Sequence, residues 1–153
     1  IRLSLVGSEM CIRDRFRGQI ADGGIDVIPL TTRNGSTGYK IVKFQTIGKT
    51  LGTQASESTM KIYKVSQSAA DADIDFNDPT LLGVAYWKSH GDTLTTQDII
   101  FDRDIFNQDI FITNQDTAGD DQPCNYYLEL EVLKLNENEN TAATLKNIRA
   151  IKS

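Results

Sequence analysis

The residues best suited to chemistry are aspartates in the segment DADIDFND. Its candidate metal ligands are Asp71, Asp73, Asp75 and Asp78. Carboxylates at alternate positions bring oxygen atoms toward one point, as a hard cation such as Ca²⁺ requires. The segment departs from the helix-loop-helix calcium loop, because Phe76 replaces its glycine and Leu82 replaces its bidentate glutamate. Because of these departures we favour a solvated acidic turn and expect no cofactor, and a Ca²⁺ site at these aspartates is the alternative. The same two interpretations apply to a second acidic loop, 116–121.

Few other residues have the types and spacing that catalysis needs. The sole histidine, His90, lies in a predicted turn, and adjacent side chains do not form a catalytic triad. The run Gly48-Lys49-Thr50 matches the end of a phosphate-binding loop, but Lys43 stands where its first glycine belongs. Cys124 begins a predicted strand and is expected to be a buried structural thiol. We therefore expect no enzyme, since a carboxylate hydrolase would need acids that converge in a cleft.

Two aromatic residues are candidate ligand contacts. Trp87 ends an apolar run, and alternation places Tyr127 on the same strand face as Glu129 and Glu131. An aromatic ring on a polar face is suited to stacking on a sugar or a receptor, whereas an aromatic ring in a sandwich core only packs. We expect Trp87 and Tyr127 to contact a ligand if the protein binds carbohydrate or a host surface.

These side chains must be positioned by short strands. Apolar runs separated by Gly, Asn, Asp and Ser predict an all-β fold, with seven or eight short strands in a two-sheet antiparallel β-sandwich or jelly roll. The predicted strands cover 25–29, 39–47, 59–65, 81–87, 99–101, 105–113 and 126–135. A turn at 33–36 joins the first two, because Asn-Gly adopts the positive φ angles of a tight hairpin. A change of parity within 39–47 indicates a bulge. The last eleven residues have helix-like spacing, but we favour a final strand that returns beside 126–135.

Length and charge exclude several classes of function. The chain has 153 residues, a length that suits one domain. Its net charge of −5 argues against a basic nucleic-acid-binding face as the main feature. No apolar run reaches the length of a membrane span, so we expect neither nucleic acid nor membrane as a partner.

The N-terminal segment differs from everything that follows it. The run LVGSEMCIRDR, residues 5–15, resembles the translation of a transposase-type sequencing adapter, and residues 1–4 are compatible with the preceding primer and index. We therefore expect residues 1–15 to be non-native and residues 16–153 to form a single β-sandwich domain. Removing residues 1–15 takes away three arginines but only two acidic residues, so the remaining chain is more acidic. Cys124 is then its only thiol. Such a segment is typical of a metagenomic sequence.

From Gln19 onward, the chain resembles a group of short, uncharacterised virion-associated proteins of marine tailed phages. The segments that carry the resemblance are VKFQTIGKTLGTQASESTMKIYKV, DFNDPTLLGVAYW, DIFNQDIFITNQD and CNYYLELEVLKL. The resemblance implies a structural protein located in the virion, either a head-decoration protein or a sandwich module of the tail or collar. Its partners would be capsid or tail proteins and copies of itself. The alternative is a carbohydrate- or host-surface-binding module.

Overall fold

The computed structural model describes residues 12–51, 55–90 and 93–152, which form an all-β sandwich with one helix. The predicted fold class is therefore confirmed. The elements are β1 (Ile12–Ile20), β2 (Ile25–Ile28), β3 (Thr37–Gly48), β4 (Ser56–Tyr63), β5 (Leu81–His90), β6 (Thr93–Ile100), β7 (Ile110–Asp116), β8 (Cys124–Lys134) and α1 (Glu137–Lys152). All the strand pairs are antiparallel.

The two sheets differ in width. The smaller sheet has the order β1-β8-β3, and the larger has the order β2-β7-β4-β5-β6. Since β2 and β3 lie in different sheets, the predicted hairpin at 33–36 is wrong: the turn there carries the chain from one sheet to the other. Gly35 does adopt a positive φ of 66°, so the local conformation agrees with the Asn-Gly signal.

The core lies between the inner faces of the two sheets. In β8, Tyr126, Leu128 and Leu130 are buried on the inner face, and the intervening residues project from the outer face. A bulge between Ile41 and Lys43 shifts the register of β3 against β8, as the change of parity predicts. The apolar core is thus built from the strand alternation that the sequence displays.

The C-terminal segment is a helix, so the favoured final strand is wrong. β8 already has β1 and β3 as its two neighbours, which leaves it no free side for another strand. The helix begins with a capping box, in which Asn136 Oδ1 accepts the backbone N–H of Glu139 at 2.8 Å and Glu139 Oε1 accepts that of Asn136 at 3.0 Å. Asn107, which is fully buried, donates from Nδ2 to Asn140 Oδ1 and Thr144 Oγ1 and so holds the helix against the sandwich.

The first strand lies partly within the predicted adapter segment. Residues Ile12 to Arg15 pair with Val132 to Glu129 of β8, and β1 continues without interruption through residue 20. This strand has no counterpart among the strands predicted from the sequence. Residues 1–11 lie outside the described residues, and the non-native origin of 1–15 stays a prediction.

β6 is an edge strand of the larger sheet, paired on one side only, with β5. β3, an edge strand of the smaller sheet, packs over β5 and β6. Seven of the eight residues of β6 are exposed, and Leu94 is 62% exposed. Across the parts of the chain described above, no helix has both the length and the apolarity needed to cross a membrane.

Candidate functional site

Trp87 lies in the core and does not fit the predicted role of ligand contact. Its side chain belongs to the main apolar cluster and is only 5% exposed. It packs against the end of β3, where a Cβ placed on Gly48 would lie 2.6 Å from the indole Nε1. A ligand at the surface therefore has little of the indole to contact, and glycine at position 48 makes room for the ring.

Tyr127 lies on the outer face of the smaller sheet, as alternation predicts. Its hydroxyl donates to Glu129 Oε2 at 2.6 Å, and this bond raises the pKa of Tyr127 and lowers that of Glu129. Arg13 Nη1 also lies 3.3 Å from Glu129 Oε1. Glu129 is only 6% exposed, so the face expected to be solvated holds a well-covered carboxylate. Tyr127 remains half-buried and accessible from one side.

A polar groove lies beside Tyr127, where β3 of the smaller sheet ends above β5 and β6. This β3–β6 groove has a volume of about 350 Å³. Its polar lining includes Gln45, Thr96, Gln97, Asp98, Asn125 and Tyr127. Amides, hydroxyls and one carboxylate beside an aromatic ring are groups that can hydrogen-bond to sugar hydroxyls and stack on a sugar ring. Sequence reasoning found only Tyr127, because the other groups come from three strands that are distant along the chain.

The aspartates of the candidate Ca²⁺ site turn toward their own loop instead of toward one another. Asp75 Oδ1 accepts the backbone N–H of Asn77, and Asp78 Oδ1 accepts both the N–H and the hydroxyl of Thr80. Such local bonds form Asx turns. In residues 12–51, 55–90 and 93–152, no three His, Cys, Asp or Glu side chains are grouped to hold a metal ion. The structure therefore does not assemble Asp71, Asp73, Asp75 and Asp78 into a site.

Asp71 instead binds Lys61, a residue that the sequence analysis did not single out. Lys61 is 2% exposed, and its Nζ donates to Asp71 Oδ1 at 2.6 Å and to the Asp73 carbonyl at 2.5 Å. Burial lowers the pKa of Lys61, but its interactions with Asp71 and Tyr63 outweigh burial and hold that pKa above the usual value. The acidic loop is thus fastened over the outer face of β4. The apolar Phe76 within this acidic segment was the available sequence signal that the loop packs on the protein, since its ring contacts that of Phe101 edge to face.

The second acidic loop is also organised by backbone bonds. Asp116 is 5% exposed, and its carboxylate accepts the N–H groups of Glu57, Ala118 and Gln122. Asp121, at a positive φ of 51°, interacts with the Asp22 carboxyl, which raises the pKa of Asp121. Asp116 therefore shapes the connection between β7 and β8.

The remaining reactive side chains are separated from one another. Cys124 is buried, as predicted, and burial raises the pKa of its thiol to about 11, which keeps it protonated at neutral pH. His90 is exposed at the end of β5, and Lys49 is exposed just after β3. Tyr86 donates to Glu57 Oε2 at 2.5 Å, and burial followed by this bond raises the pKa of Tyr86 to about 12. Cys124 and Tyr86 therefore have structural roles in the sandwich.

The outer edge of β6 presents unpaired backbone groups. The N–H of Phe101 donates to the Leu82 carbonyl of β5 at 3.0 Å. Because backbone direction alternates along an antiparallel strand, the odd-numbered residues of β6 bond to β5 and the even-numbered residues point away. Those outward residues are Leu94, Thr96, Asp98 and Ile100. No described residue pairs with their backbone groups on that side.

Comparison with models of known protein families gave no match to this chain, and a search of curated proteins found no sequence significantly similar to it.

Proposed function

We propose that this chain is a structural protein of a tailed-phage virion, a head-decoration protein or a tail or collar module that acts through protein–protein assembly. The observation that carries the proposal is the open edge of β6 in the larger sheet. A strand edge offers repeated backbone donors and acceptors to a neighbouring chain, which is a common mode of protein association. Symmetric assemblies use one such small surface many times.

The use of the polar side chains supports assembly over catalysis. Lys61, Asp116 and Glu129 are buried or nearly buried, and each is bonded within the protein. Groups tied into internal bonds stabilise loops and sheet faces, and they are poorly placed to exchange protons with a substrate. The resemblance of residues 19–153 to virion-associated proteins agrees with this assignment.

Mass spectrometry of purified particles tests the proposed function. Particles of a phage that encodes this chain are to be separated from lysate on a density gradient, and peptides of the chain quantified against the major capsid protein. We expect the chain to co-purify at a fixed ratio, and cross-linking then identifies a head or tail neighbour. A non-structural phage protein of similar abundance serves as the control and should be depleted. Particles that lack the chain would rule out the proposal.

The β3–β6 groove favours carbohydrate or host-surface binding as a second candidate function. It joins Tyr127 to amide and hydroxyl groups in one cavity of about 350 Å³. Binding to a glycan array should be lost in Tyr127→Ala and kept in Gln108→Ala, which changes a residue of a different surface cavity. An array without hits for the unmodified protein would remove this candidate.

A further inference from the structure

The free edge of β6 differs from the other three edges of the two sheets. β2 has only four residues and is followed by Pro29, which has no N–H to donate. β3 is interrupted by the bulge between Ile41 and Lys43 and is bridged at Tyr39 by Phe106. β1 has arginines at alternate positions, Arg13, Arg15 and Arg17. Charges, bulges, prolines and short length are the features that protect sheet edges from unwanted pairing.

β6 has few of these protective features. Its eight residues, TLTTQDII, include no proline and no lysine, and Asp98 is its only charged residue. The strand is rich in β-branched residues, which favour extended pairing. Leu94 and Ile99 are 62% and 39% exposed, so both faces of the strand carry apolar side chains that are left uncovered. An edge of this kind gains stability when another strand covers it.

We propose that β6 pairs with β6 of a second copy of this chain, antiparallel and centred on Gln97, to form a continuous ten-stranded sheet. This inference rests on the proposed assembly function and names the surface and the partner. A two-fold axis perpendicular to the sheet leaves each copy with the same face up, so the faces of the two sheets join. Even-numbered residues of β6 then pair with even-numbered residues of the second copy, and odd with odd. The outward backbone groups of Leu94, Thr96, Asp98 and Ile100 then meet those of Ile100, Asp98, Thr96 and Leu94 of the second copy.

Side-chain complementarity supports this register. Leu94 lies opposite Ile100 of the other copy, and the two-fold axis repeats this pair at each end of the ladder. The exposed surface of each Leu94 therefore gains an apolar neighbour. Asp98 lies opposite Thr96, which can donate a hydrogen bond to the carboxylate. A shift that centres the ladder on Asp98 places two carboxylates opposite each other and is disfavoured by repulsion. The register centred on Gln97 also pairs seven of the eight residues of the strand, 94–100, with the same residues of the other copy.

Disulfide trapping tests the register. In a Cys11→Ser background, Gln97→Cys places two thiols at a non-hydrogen-bonded pair on the axis, where Cα atoms lie about 4.5 Å apart, within disulfide range. Thr93→Cys is the matched control on the same strand face: four residues from the axis, its two copies are separated by roughly 27 Å. We expect mild oxidation to give a covalent dimer for Gln97→Cys and none for Thr93→Cys. Equal yields for the two variants, or a monomer throughout, would overturn the inference.

A proline variant tests whether the backbone edge forms the contact. The N–H of Thr96 points away from β5, so Thr96→Pro removes a donor from the free edge and leaves the β5–β6 ladder intact. Sedimentation should show twice the chain mass of 17.0 kDa for the unmodified protein and the chain mass for Thr96→Pro. Circular dichroism should be alike for both, because the fold of each copy is kept. A folded Thr96→Pro protein that remains dimeric would contradict the inference.

The two proposals fail in different ways. Particles that contain the chain, combined with a monomer that Gln97→Cys does not trap, would leave the virion function standing and remove the β6 contact. A Gln97-linked dimer of a chain that is missing from particles would keep the β6 contact and remove the virion function.

Discussion

Lys61 and Asp71 form an ion pair in which only one partner is shielded from water. The side chain of Lys61 is 2% exposed and that of Asp71 is 62% exposed, although their charged atoms lie 2.6 Å apart. Lys61 projects from β4 toward the outer face of the larger sheet, and the acidic loop brings Asp71 over it. The two partners therefore depend on the pair unequally, since a buried ammonium group needs its counter-ion and an exposed carboxylate can be hydrated.

Removal of the carboxylate should cost more stability than removal of the lysine charge. Asp71→Asn leaves a buried ammonium group without a counter-ion, and we expect a loss of about 1–3 kcal/mol, below the range for fully buried pairs because Asp71 is exposed. Lys61→Met replaces the charge with an apolar chain of similar length, and the change should stay within about 1 kcal/mol. Urea unfolding of both variants measures the difference. A larger loss for Lys61→Met would contradict this account.

The same pair should make stability sensitive to acid. The hydrogen bond from Lys61 lowers the pKa of the Asp71 carboxyl below its usual value of 3.8. A carboxyl whose pKa is lower in the folded state contributes its full stability above the unfolded pKa and loses it as the pH falls through the folded pKa. Urea unfolding between pH 2 and 7 should therefore show the unmodified protein losing its advantage over Asp71→Asn below pH 4. A constant difference over this range would exclude the linkage.

Asp121→Asn should stabilise the protein at neutral pH. The neighbouring Asp22 carboxyl raises the pKa of Asp121, so the ionised form is disfavoured in the folded state. The stability that protonated Asp121 contributes is complete below the pKa of this carboxyl in the unfolded chain. It is lost as the pH rises through the higher pKa of the carboxyl in the folded protein. Asparagine also tolerates the positive φ of 51° at this position. Thermal melting should show a higher Tm for Asp121→Asn than for the unmodified protein at pH 7, and the difference should vanish near pH 3. A lower Tm for the variant at pH 7 would contradict this prediction.

Gly48→Ala should disturb the core beside Trp87. A Cβ at position 48 lies 2.6 Å from the indole Nε1, so the ring must shift, at a cost of about 1–3 kcal/mol. Trp87 is the sole tryptophan, and its emission reports the shift directly. Gly83→Ala on β5 is the control, because its Cβ comes no closer than 3.4 Å to another atom. Unchanged emission and unfolding free energy in Gly48→Ala would show that position 48 and the Trp87 ring are not in close contact.

Asn136→Ala should loosen the first turn of α1. It removes the side-chain oxygen that accepts the Glu139 N–H, a loss worth about 1 kcal/mol of helix stability. Amide hydrogen exchange in the first turn of the helix should speed up by roughly fivefold, as this energy implies. Asn138→Ala, which changes an exposed residue of the same turn, should leave exchange nearly as it was. Equal protection in the two variants would rule out the capping role of Asn136.

Local patterns in the sequence predicted much of the fold. Alternation in 126–135 placed Tyr126 and Leu128 in the core and Tyr127 on the outer face, because successive side chains of a strand point to opposite faces. The bulge in β3 and the positive φ of Gly35 are local as well. The Asn136 and Glu139 spacing of a capping box was also present in the sequence, and the helix was missed because hairpin pairing with 126–135 was favoured over that signal.

The sequence by itself determined the all-β class and the faces of β8. Only the tertiary structure decided that Trp87 is covered, that Asp71 pairs with Lys61 instead of joining three other aspartates, and that β6 is left with an open edge. The physical reason is that a strand's alternation is set by its own backbone, whereas burial, ion pairing and edge exposure depend on which distant segment packs against it. That packing is settled by the whole core, which places β3 over Trp87, while no described strand pairs with the outer side of β6.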